Sequence, residues 1–134
     1  MVAYSFQRQF VRPIEDDVKL STIRALSKRR HAREGDEVQL YCGMRTKTCF
    51  LIGRRVCAGA GVVALDFGLP ERVLISCGGP INGVIDGMRN LNAFAKRDGF
   101  SSWRSLRDFF QATHKVESYF VGVIILWRPA GDQP

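Results

Sequence analysis

The stretch Lys19–Arg24, reading KLSTIR, sets a hydroxyl and two cations within six residues of one another. A basic cluster continues from it: Arg24, Lys28, Arg29, Arg30 and Arg33 put five positive charges into ten residues, and Glu34 and Asp36 close the run. Two chemistries follow from these residue types. Clustered guanidinium and ammonium groups suit a polyanion, because they neutralise phosphates with little regard to sequence and with strong salt dependence. A hydroxyl near a lysine suits a small hydrolytic site. Threonine is a poor nucleophile until a base takes its proton, and lysine is such a base only where burial or neighbouring cations depress its pKa.

Strand geometry constrains the second option. Side chains alternate along a strand, so Lys19 and Thr22 point to opposite faces unless the strand begins after Lys19 or kinks at Leu20-Ser21. Thr22 and Arg24 share a face without such help.

The elements that must position these groups are read from composition and periodicity. The chain has 134 residues, 46% of them hydrophobic and 25% charged, which fits one globular domain spanning 1–134 and no disordered or fibrous class. Twenty Lys+Arg against 13 Asp+Glu give a net charge of +7, which points to a nucleic acid or other polyanion as partner. Cys42, Cys49, Cys57 and Cys77 form no C-x-x-C pair, and the two histidines stand elsewhere, so neither a metal site nor a cofactor is expected. The cysteines read as small buried hydrophobes in a reducing compartment. No apolar leader and no run of 18 apolar residues is present, so a soluble cytoplasmic protein with no membrane partner is expected.

Strands are expected at Ala3–Phe6, Leu20–Ile23, Glu37–Cys42, Thr48–Cys57, Val62–Phe67 and Arg72–Ser76, with a short helical turn around Phe10, Val11 and Ile14. Ala25–Ala32 reads as a charged loop or short helix, and Gly43–Lys47 as a basic hairpin loop. Gly53 inside its strand suggests a bulge, while Gly59 and Gly61 loosen the chain before the next strand. After Gly78-Gly79-Pro80 the pattern turns helical. Asp86 is the expected N-cap of a helix carrying Met88, Leu91, Phe94 and Ala95 on one face and ending at Gly99. Ser101 or Ser102 caps a second helix with Trp103, Leu106, Phe109 and Phe110 at helical spacing. Tyr119–Trp127 (YFVGVIILW) reads as a central strand buried on both faces, and Pro129–Pro134 as a polar tail. Strands first, two helices late and a buried last strand predict a mixed α+β fold, a small β-barrel of five to seven strands with two or three short helices.

These elements together resemble an ASCH domain, of the PUA-like superfamily. The resemblance rests on Lys19-x-x-Thr22-x-Arg24 after an aromatic segment (Tyr4, Phe6, Phe10), on Gly35-Asp36 opening the strand Val38–Tyr41, on Ala95-Lys96-Arg97-Asp98-Gly99-Phe100-Ser101-Ser102-Trp103 as the acidic-Gly-Phe element between the two helices, and on the closing strand Val121–Trp127. It covers nearly the whole chain. It implies a PUA-like barrel that binds RNA or a nucleotide-like ligand. In the family's amide-hydrolysing members, which act on modified nucleosides such as N4-acetylcytidine, the matching lysine, threonine and acid are base, nucleophile and proton donor. By that resemblance Lys19, Thr22 and Asp98 inherit those roles and Arg24 steadies the substrate or its oxyanion. Asp98 stands where those members have glutamate, one methylene longer.

Read as a nucleic-acid surface, the cations are Lys28, Arg29, Arg30, Arg33, Arg45, Lys47, Arg54 and Arg55, with Arg24 in the cleft and Tyr4, Tyr41 or Trp103 as stacking platforms. Ribonuclease activity is the remaining hydrolytic option, with His31 and Lys19 as its acid and base. His114 reads instead as a surface residue at a helix C-terminus, and Asp98-Gly99 also reads as an ordinary helix-ending turn.

Overall fold

A computed structural model describes residues 2–76 and 83–132. Cys77, Gly78-Gly79-Pro80 and the end of the polar tail lie outside the described residues. Among those described, seven strands and three α-helices make a mixed α+β fold: β1 (Val2–Phe6), α1 (Val11–Glu15), β2 (Ser21–Ala25), β3 (Glu37–Cys42), β4 (Phe50–Asp66), β5 (Arg72–Ser76), β6 (Gly83–Asp86), α2 (Met88–Arg97), α3 (Trp103–His114) and β7 (Tyr119–Trp127). A 3-10 turn, Arg8–Phe10, leads into α1. No described helix is long and apolar enough to cross a membrane.

The strand β4 organises the sheet. Its first half pairs antiparallel with β3, its second half with β5 and β7, and β7 carries β2 on its other edge. β1 pairs parallel to β3, and β6 extends β5. The register slips at two places on β4, between the Gly53 and Leu51 pairings and between the Cys57 and Gly59 pairings, so Ile52 and Ala58 are the extra residues that bend it. The expected bulge near Gly53 is therefore present. The expected break at Gly59 and Gly61 is not, because both glycines stay in the ladder opposite Leu126 and Ile124.

The last strand separates two cores. Ile124 and Leu126 point into a cluster with Val63, Leu65, Leu91, Trp103, Leu106 and Phe110, under α2 and α3. Ile125 and Trp127 point the other way, toward Tyr4, Phe6, Phe10, Ile14, Val38 and Leu40. This two-sided burial explains the unbroken apolar run of β7, although the reading holds only for its second half. Tyr119 and Val121, nearer its start, are exposed.

The helical half follows its caps. Ser102 accepts a hydrogen bond from the Ser105 amide at the start of α3. Gly99, at φ +94°, turns the chain between α2 and α3 in a conformation suited to glycine. The expected Asp86 cap is displaced: Asp86 ends β6, a short exposed strand without periodic signal, and Gly87 is the N-cap of α2.

The sheet is not closed. Among the described residues β1 pairs with β3 alone and β2 with β7 alone. The Phe6 carbonyl accepts from Gly43 on the β3 side, so the alternating carbonyls of Ala3 and Ser5 face the open edge. Arginine side chains meet them there: Arg24 Nη2 donates to Ser5 O at 2.8 Å, and Arg29 Nη2 donates to Ala3 O. The seam between β1 and β2 is thus held by guanidinium groups in place of a backbone ladder.

β2 sits close against β7 because Gly122 has no side chain. A Cβ there would lie 2.3 Å from the Arg24 carbonyl oxygen. Gly122→Ala is therefore expected to lower stability by about 1–3 kcal/mol, as forced overpacking does. Thermal unfolding followed by circular dichroism checks this, and an unchanged midpoint would contradict the close seating of β2.

Candidate functional site

The seam opens into a cleft of about 220 Å³. Its wall is made by Ser5 and Phe6 of β1, Phe10, Lys19 ahead of β2, Thr22 and Arg24 within β2, Asp98 and Phe100 between the helices, and the last turns of α3. The four residues that the sequence nominates, Lys19, Thr22, Arg24 and Asp98, therefore line one cavity although 79 residues separate the first from the last.

The alternation problem resolves at the strand start. β2 begins at Ser21, so Lys19 lies outside the regular strand and bends toward Asp98, while Thr22 and Arg24 share a face as expected. Lys19 Nζ donates to the Asp98 carbonyl oxygen and stands 3.7 Å from Asp98 Oδ1. Ser21 Oγ donates to the same Oδ1 at 2.8 Å. On the other side, Arg24 Nε donates to Thr22 Oγ1 at 3.1 Å. Among the described residues no hydrogen bond joins Lys19 to Thr22.

Burial sets the electrostatics. The side chains of Lys19 and Asp98 each keep 3% of their surface. Desolvation disfavours both charged forms and outweighs their mutual attraction: the Lys19 ammonium is brought down to about 8, and the Asp98 carboxyl is raised. Arg24 is brought down to about 10 by burial and then by the nearby Arg29, and it remains a cation at neutral pH. Its guanidinium lies 4.8 Å from the Phe6 ring centroid and 5.3 Å from that of Tyr4. With Nε on Thr22 and Nη2 on Ser5, its Nη1 has no partner among the described residues. Lys19 is held over the Phe10 ring at 4.8 Å. Gly99 allows this, since a Cβ there would come 2.7 Å from Lys19 Cδ.

The basic residues divide into two sets. Arg29 lies over the Tyr4 ring beside Arg24, and Lys28 is exposed on the same loop. Arg45 and Lys47 are exposed on the turn after β3, which is tied to the cleft by the hydrogen bond from the Met44 amide to Ser5 Oγ. Arg33 is exposed, its amide donating to Asp36. The remaining three answer to scaffold acids: Arg30 pairs with Asp36, Arg54 with Glu37, and Arg55, itself buried, faces Asp17 at 3.9 Å. Two of the proposed stacking platforms are also interior. Tyr4 is fully buried, donating to or accepting from His31 through its hydroxyl, and Trp103 is buried with its indole N–H on Glu71. Tyr41 is half-buried.

Sequence reasoning missed four contributors. Ser21 lies on the face of β2 opposite Thr22, and its partner Asp98 is 77 residues away, so no local pattern marks it. Phe100 and Phe109 make the apolar wall and pack on Phe10 at 5.3 and 5.8 Å. His114, read as a surface residue, lines the cleft and packs on Phe110 and Phe120, and burial lowers its pKa. His31, by contrast, is stacked on Tyr4 and is not part of the cleft wall. Of the cysteines, Cys42 and Cys57 are buried as expected, whereas Cys49 is exposed.

Comparisons with protein-family models, with curated proteins and with solved structures find no match for the chain.

The buried pair has a defined pH signature. Between about 8 and the ordinary lysine value of 10.5 the unfolded chain holds a proton that folded Lys19 has released, so stability rises with pH across that window. Asp98 acts oppositely: above 3.8 the unfolded chain loses a proton that the folded state keeps, so stability falls with pH up to its raised value. Lys19→Met leaves Asp98 buried without its cation and is expected to cost about 3–5 kcal/mol at pH 7, with recovery on acidification. Lys19→Met/Asp98→Asn should regain most of that loss. Urea unfolding of both variants checks this, and equal instability of the two would show that the pair is not the cause.

Proposed function

We propose that the chain is an ASCH-type domain with a PUA-like fold that binds RNA through a single base or nucleoside held in the Lys19/Thr22/Arg24/Asp98 cleft. The observation that carries this reading is Arg24, a half-buried cation with a spare donor, in a cavity walled by phenylalanines on one side and polar groups on the other. At about 220 Å³ the cleft falls below the roughly 300–1,000 Å³ of drug-sized sites, so it suits one flat group and not a length of chain. A nucleotide swung out of its strand offers such a group, with an apolar face and hydrogen-bonding edges. Its phosphates would meet Lys28, Arg29, Arg33, Arg45 and Lys47 outside the cleft.

Fluorescence anisotropy with single-stranded RNA tests this. Binding should weaken steeply with salt, and Lys28→Ala/Arg29→Ala should flatten the log–log salt slope by about 1.4, at roughly 0.7 per phosphate contact on a single strand. Absent or salt-independent binding would sink the proposal.

A second reading, hydrolysis of an amide on a modified nucleoside, is favoured by the lowered pKa of Lys19 and by the bond from Arg24 to Thr22 Oγ1. In it Lys19, as the free amine, takes the Thr22 proton. The Thr22 oxygen bonds to the amide carbon, and Arg24 stabilises the resulting oxyanion. Asp98 then protonates the leaving nitrogen as the C–N bond breaks, and water hydrolyses the acyl-threonine. Ligand binding must bring Lys19 Nζ to Thr22, since catalytic hydrogen bonds often tighten only in the complex. N4-acetylcytidine turnover should disappear in both Thr22→Ala and Lys19→Met. Activity surviving in either would remove that residue's role.

A further inference from the structure

Asp98 has two carboxylate oxygens, and the protein treats them differently. Oδ1 accepts the Ser21 hydroxyl at 2.8 Å and faces Lys19 Nζ at 3.7 Å. Oδ2 has no hydrogen-bond partner among the described residues, and Asp98 lines the cleft. An oxygen that already accepts from a donor and lies beside a cation is the poorer place for a proton, so a protonated Asp98 carries it on Oδ2.

We propose that Ser21 is a positioning residue for Asp98: its hydroxyl holds Oδ1 toward the scaffold and thereby presents Oδ2, with its proton, to the ligand. The inference rests on the reading of Asp98 as proton donor. It goes beyond that reading because no role has been given to Ser21. Three features support it. Ser21 is itself buried, which holds its hydroxyl in one place beside Asp98. It is the first residue of β2, fixed by pairing with Leu126, and the Leu20 amide beside it donates to Arg97 O, tying this strand to the segment that carries Asp98. Aspartate carries its carboxyl on a single methylene. A fixed carboxylate orientation matters more for a shorter arm, since misplacement of about 1 Å can cost around a hundredfold in rate.

The charges facing Asp98 are Lys19 ahead of β2 and Arg24 on β2; His114 of α3 lines the same cleft, and Lys96 and Arg97, its neighbours in sequence, are exposed. Ser21 differs from all of these in being a neutral donor. Its removal changes the Asp98 proton equilibrium without changing net charge. A hydroxyl bonded to the carboxylate favours the charged form, so Ser21→Ala should raise the Asp98 pKa.

The test compares wild type, Ser21→Ala and Ser21→Thr. A groove of about 420 Å³ between α2 and the sheet also borders Ser21 and gives the extra methyl of threonine room. The Asp98 carboxyl is followed by carbon-13 NMR titration, and N4-acetylcytidine turnover by its pH profile. In Ser21→Ala the carboxyl titration should move up by about one to two pH units, the scale of one hydrogen bond to a charged group. Ser21→Thr should restore it. Turnover should show kcat lowered about tenfold or more, KM little changed, and the basic limb displaced in the same direction. A carboxyl titration unmoved in Ser21→Ala overturns the proposal, whether or not the enzyme turns over. If the titration moves and is rescued by threonine while wild type shows no turnover, Ser21's role stands and the hydrolytic reading fails.

Discussion

A lysine and an aspartate withdrawn together from water are the constraint around which the cleft is built. Neither charge is comfortable alone at that depth, and each makes the other tolerable. The arrangement needs two chain segments at once: the approach to β2 for Lys19, and the α2–α3 turn, which carries Asp98 and whose Gly99 leaves space for the lysine stem. Phe10 and Phe6 close over the ammonium and keep solvent away. The consequence is a pair of groups whose proton affinities have moved toward each other, Lys19 downward and Asp98 upward. Burial of paired charges moves proton affinities in this way wherever it occurs, at functional sites and in structural ion pairs alike.

The cleft's position follows from the sheet. β7 divides the interior, sending Ile124 and Leu126 to one core and Ile125 and Trp127 to the other, and β2 lies along its outer edge. Both cores thus end near β2. Phe100 and Phe109 touch both of them, and they also form the apolar side of the cavity. Rigid packing on two sides gives the site a fixed frame.

Much of this was legible in the sequence, for reasons that can be stated residue by residue. EVQLYC and RVLIS alternate cleanly and form the strands expected of them. Ser102 and Gly99 mark α3 and the end of α2 through hydrogen bonding and backbone freedom that are local properties. The fragments at Thr48–Cys57 and Val62–Phe67 proved to be one strand, because glycine's local reputation as a breaker is overridden when neighbours on both sides supply a ladder. Lys19, Thr22, Arg24 and Asp98 were nominated together, but the bond from Ser21 to Asp98 spans 77 residues and has no local trace. Nor could sequence separate Arg29, beside the cleft, from Arg55, buried against Asp17, since both are arginines in basic runs.

The guanidinium-held seam has a consequence of another kind. A strand with a free edge is a template on which a second chain can add, and proteins guard such edges with charge or irregularity. Here the outward carbonyls of Ala3 and Ser5 are already occupied by Arg29 and Arg24, so an approaching strand finds its acceptors taken and two cations in its path. The edge of β1 is therefore guarded against strand addition by side chains and not by a neighbouring strand.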